Sequence, residues 1–479
     1  MDTFLWHDYE TFGADPRRDR PAQFAALRTD ADLEPIGDPI MVYCCPADDV
    51  LPHPDACLIT GITPQLARDK GLKENEFCAR IAEAMQQPGT CSVGYNNFRF
   101  DDEVTRHLFW RNFHDPYARE WANGNSRLDL IDLMRMTRAL RPEGLDWPNR
   151  ADGTPSFRLE DLAAANGLDT RNAHDALADV HATLALARLI RQAQPKLWSW
   201  ALKLRHRHSV TQMLEPRKPL LHSSARLPAQ WCATAPILPL VAHPTVRTQW
   251  IVWNLRESPE NFLDMPEDEL ADLLWTPAAD LPEDQKRLPV KMIRTNRCPM
   301  LAPMNVLDSA AAERLAIDLD AVVRHERILL GNPDFTERLQ SLFQQPSAPP
   351  GDPELSLYAA FTPKEDLPLR NRIRDMEPDE LSKLDDPFRD RRLNELLFRY
   401  RARLWPTSLS DEEKVRWAEY RRRRLVEDPE LASLRLADYR ERIDQLISTA
   451  PEHRHILDAL MRWPEEIGAN LHTNELSTT

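Results

Sequence analysis

Glycine is scarce in this chain, 13 residues in 479, where average usage of about 7 % would supply about 34. Floppy glycine-rich linkers are thereby excluded, and the 40 prolines point to stiff loops between ordered elements. No apolar run is long enough to span a bilayer, and no signal-peptide pattern surrounds Met1, Phe4 and Trp6. A soluble, cytoplasmic protein is the expectation. The seven cysteines, Cys44, Cys45, Cys57, Cys78, Cys91, Cys232 and Cys298, form no C-x-x-C pair, which argues against zinc or redox chemistry and for reduced thiols. Positive charge is also in deficit: the formal net charge is −15.

A surface coated all over with phosphate-binding cations is therefore excluded, and any nucleic-acid site must be local. One candidate strip exists between Lys196 and Arg247, where Lys203, Arg205, Arg207, Arg217, Lys218 and Arg226 are opposed only by Glu215.

At 479 residues the chain exceeds what one hydrophobic core organises, and two or three domains are expected. Phe4–Glu10 alternates with the period of a strand, and Pro35–Cys45 reads as a second, proline-broken one. Helices are predicted over Glu74–Gln87, Asp102–Phe113, Leu128–Leu140, Phe157–Asn166 and Asp175–Gln192, with a strand at Thr90–Tyr95, Ser156 as an N-cap and Gly167 past a C-terminus. This mixed α/β domain covers 1–194. Short apolar runs at Thr248–Leu255 and Leu288–Ile293 alternate with proline turns, predicting a second domain, 195–346, around a small β-barrel or sheet. Gln345–Pro353 is the clearest linker, and 354–470 fits helices almost throughout, including Arg391–Leu404 and Asp411–Val426.

Three acidic elements carry the chemistry. Asp8 and Glu10 lie two apart on a predicted strand, so both carboxylates face one side with Cα atoms roughly 7 Å apart, a spacing at which they can share a metal. Alone, such a pair is more often an acidic strand face. Asp101 follows a strand through Asn96 and Asn97 and has a helix cap as its bland alternative. His174 and Asp179 are five apart, roughly 140° around a helix, so they serve one site only if His174 lies on the loop or first turn.

Together, in the chain order D-x-E, D, H-x4-D, these residues resemble the DEDDh family of 3′→5′ exonucleases. The resemblance extends through Phe4–Gly13, Arg20–Ala26, Ile59–Pro64, Gly94–Glu103 and Asn172–Ala176, then Leu288–Pro299 and Asn394–Arg403, over essentially the whole chain. It implies an α/β ribonuclease-H-like nuclease domain, a central domain with a small Src-homology-like barrel and an all-helical C-terminal domain. It further implies hydrolysis of single-stranded DNA with two Mg²⁺ ions, Mn²⁺ substituting. Asp8 would bridge both ions, Glu10 and Asp179 would hold the ion of the nucleophilic water, Asp101 would support the second through water, and His174 would be the general base.

Glu10 is also expected to meet the terminal 3′-hydroxyl, and Arg158 matches a substrate-contacting arginine. Further strand contacts are expected from Arg106, Tyr117, Trp121, Arg135, Arg207 and Lys291, as phosphate-binding cations and stacking platforms. His7 faces away from Asp8 and is expected to pack or hydrogen bond; Arg421–Arg424 is either a docking site or a solvated face. The implied partners are single-stranded DNA and single-stranded DNA-binding protein, with the enzyme a monomer that does not engage membranes. A ribonuclease or proofreading exonuclease shares the same acids, and an inactive nucleic-acid scaffold is the alternative from another class.

Overall fold

The structure is a computed structural model that describes residues 2–168, 175–283, 285–344 and 351–469. Two compact units divide the chain. One comprises Met1–Ser126, Arg171–His181 and Ala348–Thr479, the other Arg127–Thr170 and Ala182–Ser347. No described helix is long and apolar enough to cross a membrane.

The strand that carries the acids, β1 (Thr3–Thr11), sits at the centre of a mixed five-stranded sheet. Its neighbours are β2 (Pro21–Thr29), β3 (Ile40–Tyr43), β4 (Thr90–Gly94) and β5 (Ser126–Asp129), in the order β3-β2-β1-β4-β5. β1 runs antiparallel to β2 and parallel to β4. The β2 strand was not among the predicted elements. It is buried on both faces, Gln23 included, so it lacks the alternation that betrays a half-buried strand. The predicted strand at Pro35–Cys45 shortens to β3, because Pro35 supplies no N–H and Gly37 takes a positive φ of 72°.

Helices α1 (Pro54–Thr60), α2 (Pro64–Lys70), α3 (Glu74–Met85) and α4 (Asp101–Arg111) complete the N-terminal part of the first unit. Phe77, Cys78, Ile81 and Met85 of α3 and Val104, Leu108 and Phe109 of α4 pack against Leu5, Tyr9, Phe24 and Ala26 of the sheet. This layer fixes α4 against the strand that bears Asp8. A second core joins Phe12, Cys57, Ile62 and Ala67 to Tyr439, Ile443, Ile456, Leu460 and Trp463 of two C-terminal helices, Leu436–Thr449 and Arg454–Glu466.

α5 (Leu130–Leu140) is capped by Asp129, whose side chain accepts from Ile131 N–H. After it come α6 (Leu159–Ala165) and α7 (Ala176–Ala193). Ser156 does not cap α6: the helix starts later, Arg158 holds the cap position, and the Ser156 hydroxyl donates to Asp161. In the second unit, β6 (Leu220–Ser223), β7 (Thr234–Ala242), β8 (Gln249–Asn254), β9 (Val290–Arg294) and β10 (Met300–Pro303) form an antiparallel sheet in the order β10-β6-β7-β8-β9.

Beyond the linker, 345–350 of which lies outside the described residues, helix Arg391–Leu404 has its predicted bounds. The helix predicted at Asp411–Val426 is α-helical only to Arg422 and closes with a π turn over Arg423–Glu427. The seven cysteines are all free thiols.

Candidate active site

Period-two geometry puts Asp8 and Glu10 on one face of β1 and His7 and Tyr9 on the other. In the β1–β2 ladder Asp8 stands opposite Ala25 and Glu10 opposite Gln23, and a register shift follows directly at Glu10/Thr11, the kind of irregularity that re-aims a side chain. Parallel pairing with β4 runs from Thr3 to Trp6. Past that point the Tyr9 N–H donates to Asp101 Oδ1 at 3.1 Å, which ties the first residue of α4 to the middle of the Asp8-Tyr9-Glu10 triplet.

Asp179 lies in the first turn of α7, where the helix dipole favours a negative side chain. The turn is set by Asp175, whose Oδ1 accepts from the N–H groups of Leu177 and Ala178 at 3.1 and 3.2 Å. Asp8, Glu10 and Asp179 each offer a carboxylate oxygen within 4.8 Å of the others. His174 lies outside the described residues.

Burial, and after it charge crowding, governs this cluster. Burial, then Asp101, Glu10 and Asp179, push the Asp8 carboxyl well above its usual range. Burial followed by Asp179 and Asp101 raises Glu10 to about 8. Burial lifts Asp101 to about 7 even though the Tyr9 N–H stabilises its anion. Like charges removed from water behave this way unless a cation joins them. The residues therefore fit a divalent metal ion: several hard oxygen donors converge, and their repulsion is what such an ion relieves. Metal binding must then expel protons, and the sign follows. At pH 6 the cluster holds protons that the metal displaces; at pH 8 it holds fewer. The half-saturating Mg²⁺ concentration should fall across that interval, and titration calorimetry in buffers of different ionisation enthalpy should register proton release. A pH-independent affinity with no release contradicts the crowding.

On the reverse face the His7 side chain packs in the core. It is 2 % exposed, its ring stacks on Phe24 at 6.0 Å and 27°, and neither ring nitrogen has a hydrogen-bond partner among the described residues. Burial pushes its pKa down to about 3, so the imidazole is neutral. Beneath α4, Arg119 and Asp102 form a fully buried ion pair at 2.5 Å.

The predicted strand contacts separate by exposure. Trp121 is 70 % exposed. Arg158 is also open to solvent and pairs with Glu160 at 2.7 Å. Arg207 is exposed, donating to the Arg247 carbonyl. Lys291 is half-buried on β9; its ammonium donates to the Arg226 carbonyl, and burial lowers its pKa to about 8. Tyr117 is half-buried beneath the Arg106 guanidinium. Arg106 and Arg135 differ from these in that neither is an open surface cation. Arg106 is 4 % exposed and saturated by Glu120 and Glu103, and Arg135 is inward and paired with Asp132.

Arg421–Arg424 is only partly a solvated face: Arg423 is exposed and Arg424 is buried. Arg421 pairs with Asp48, Arg422 with Glu427 and Arg423 with Asp428, while buried Arg424 donates to the carbonyls of Asp49, Leu431 and Arg18. Sequence reasoning gave no role to Asp175, Thr105 or Arg119. Only Asp175 left a signal, an acid directly before an apolar helix.

Carboxylates from the central strand and from the first turns of α4 and α7 come together on one side of this sheet, and the family model described as "Exonuclease" matches residues 5–187, which places the chain in the exonuclease class. The models for the exonuclease I SH3-like and C-terminal domains match 205–345 and 351–467. The chain belongs to the exonuclease I family. It is similar to exodeoxyribonuclease I of Escherichia coli, 43 % identical over 472 residues, 97 % of this chain and 98 % of that one. Among solved structures, exonuclease I from Methylocaldum szegediense superimposes with a TM-score of 0.93 at 46 % identity, covering 98 % of this chain and 100 % of the other. The zinc-bound complex of E. coli exonuclease I with single-stranded DNA gives 0.91 at 42 % identity, with coverage of 98 % and 100 %.

Proposed function

We propose that this chain is an exodeoxyribonuclease I: a cytoplasmic enzyme of DNA repair and recombination that hydrolyses single-stranded DNA from the 3′ end and releases 5′-mononucleotides. The observation that carries this is the convergence of Asp8, Glu10 and Asp179 within 4.8 Å, with Asp101 bonded to the strand between the first two. Identity over nearly the full length of the E. coli enzyme supports the substrate class.

Asp8, Glu10 and Asp179 would hold two Mg²⁺ ions, with Asp101 supporting the second; the all-oxygen set favours Mg²⁺ or Mn²⁺ over zinc. Bound there, the ions supply positive charge that stabilises the attacking and leaving oxygens. The remaining work belongs to the protein. Glu10 orients the terminal 3′-hydroxyl, and His174 takes the proton of the attacking water, the task for which an imidazole is suited near neutral pH. Exposed Arg158, Arg207 and Trp121 bind phosphates and stack bases along the strand. In this proposal 1–194 performs the chemistry, 195–346 and 354–470 guide the strand, and single-stranded DNA-binding protein delivers it to a monomer.

Initial rates on 5′-labelled single-stranded DNA, RNA of the same sequence and blunt duplex DNA test the substrate. Single-stranded DNA should be degraded at least about tenfold faster than either, a preference of about 1.4 kcal/mol in the transition state. RNA degraded as fast as DNA would refute the proposal in favour of a ribonuclease.

A further inference from the structure

Tyr9 stands between the two strand-borne acids, yet its side chain leaves from the opposite face of β1. There it is 4 % exposed, with its ring 4.8 Å from Phe24. Its hydroxyl lies 3.0 Å from Thr105 Oγ1, and Thr105 Oγ1 donates to the Asp101 carbonyl at 2.8 Å. Thr105 is fully buried, one turn into α4. Since its single hydroxyl proton is committed to that carbonyl, the tyrosine proton closes the pair. The same Tyr9 also donates its main-chain N–H to Asp101 Oδ1 at 3.1 Å.

One residue of the catalytic strand thus holds the first residue of α4 at two points, its carboxylate through the backbone and its carbonyl through Thr105. A side-chain hydroxyl bonded to the carbonyl four residues back bends a helix slightly and is common. A buried phenol that then anchors the hydroxyl to a strand is not required by helix geometry.

We propose that Tyr9 and Thr105 are positioning residues: the Tyr9–Thr105–Asp101 brace sets the Asp101 carboxylate against Asp8 so that the acids bind metal as one preorganised group. The proposal rests on the assignment of Asp101 as a metal-supporting acid. Groups that orient metal-binding side chains change metal affinity by about 10- to 100-fold when removed, and this sets the expected effect.

Thr105→Val keeps the shape and removes the hydroxyl; Thr105→Ser keeps the hydroxyl; Tyr9→Phe removes only the phenol oxygen and stands in where the valine variant fails to fold. Calorimetric titration of the DNA-free protein with Mn²⁺ reads metal affinity without turnover. Thr105→Val and Tyr9→Phe should weaken it about tenfold, Thr105→Ser should restore it to within about twofold of wild type, and KM for single-stranded DNA should stay unchanged while kcat falls. Lower thermal stability with metal affinity within about twofold of wild type would overturn the brace and leave a merely structural bond. Asp101→Asn separates the two levels. If it weakens Mn²⁺ binding and Thr105→Val does not, the brace fails alone; if it has no effect, the assignment of Asp101 fails and takes the brace with it.

Discussion

Asp8→Asn should lower turnover on the order of 10⁴-fold, the scale set by loss of a central catalytic group, while making the metal-free protein more resistant to heat. The two effects have one cause. Burial and then the neighbours Asp101, Glu10 and Asp179 push the Asp8 pKa up, so an amide in its place removes the cost of a buried charge and the repulsion together with the ligand. The pH dependence carries the same sign. A carboxyl whose folded pKa lies above its unfolded one contributes stability in acid that is lost as pH rises through the folded value. For Glu10 and Asp101, raised to about 8 and about 7, the loss falls between about pH 4 and 8. In EDTA, wild-type Tm should therefore decline over that range, Asp8→Asn should decline less, and Mg²⁺ should raise the wild type far more than the variant. Equal Tm values at pH 8 in EDTA would mean that the acids are not mutually repelling.

The second large effect lies away from the chemistry. Glu354 is 4 % exposed and pairs with Arg20 at 2.5 Å, Arg403 at 2.6 Å and Arg399 at 3.5 Å. Asp49, also buried, takes Arg403 at 2.8 Å, and Asp352 takes Arg399 at 2.8 Å. These guanidiniums hold the Glu354 carboxyl well below the usual range. Glu354→Ala would leave buried arginines under-neutralised, including the one that immediately precedes β2, the partner strand of Asp8 and Glu10. Breaking a buried charge network in this way costs about 3–5 kcal/mol. Chemical denaturation should show that loss, with Glu354→Gln intermediate. A change under about 1 kcal/mol would show that the remaining acids satisfy the cluster on their own.

The contrast between Asp8 and Glu354 explains what the sequence made legible. Asp8 and Glu10 are visible because strand periodicity alone places them on one face, Asp101 because it begins a helix that follows recognisable punctuation, and Asp179 because it falls in the first turn of another. The helix Arg391–Leu404 was legible to the residue because its apolar stripe repeats at 3.6. What failed had its cause far along the chain. β2 is covered on both faces by elements that local patterning does not reveal. Arg106 looks like a surface cation until Glu120 folds back on it. The run Arg421–Arg424 reads as solvent-facing, because the groups that draw Arg421 and Arg424 inward, Asp48 and Asp49, stand more than 370 residues away. The π turn at Arg423–Glu427 is a local departure that propensity smooths over.

The most direct test of the central claim, a metal-dependent 3′→5′ exonuclease built on the Asp8 cluster, is product analysis of one single-stranded DNA labelled at either end, in Mg²⁺ or in EDTA. With Mg²⁺, the 3′ label should leave first as a mononucleotide while the 5′ label passes through a descending ladder, and EDTA should stop both. Cleavage that persists in EDTA, or early release of the 5′ label as a mononucleotide, would contradict the account.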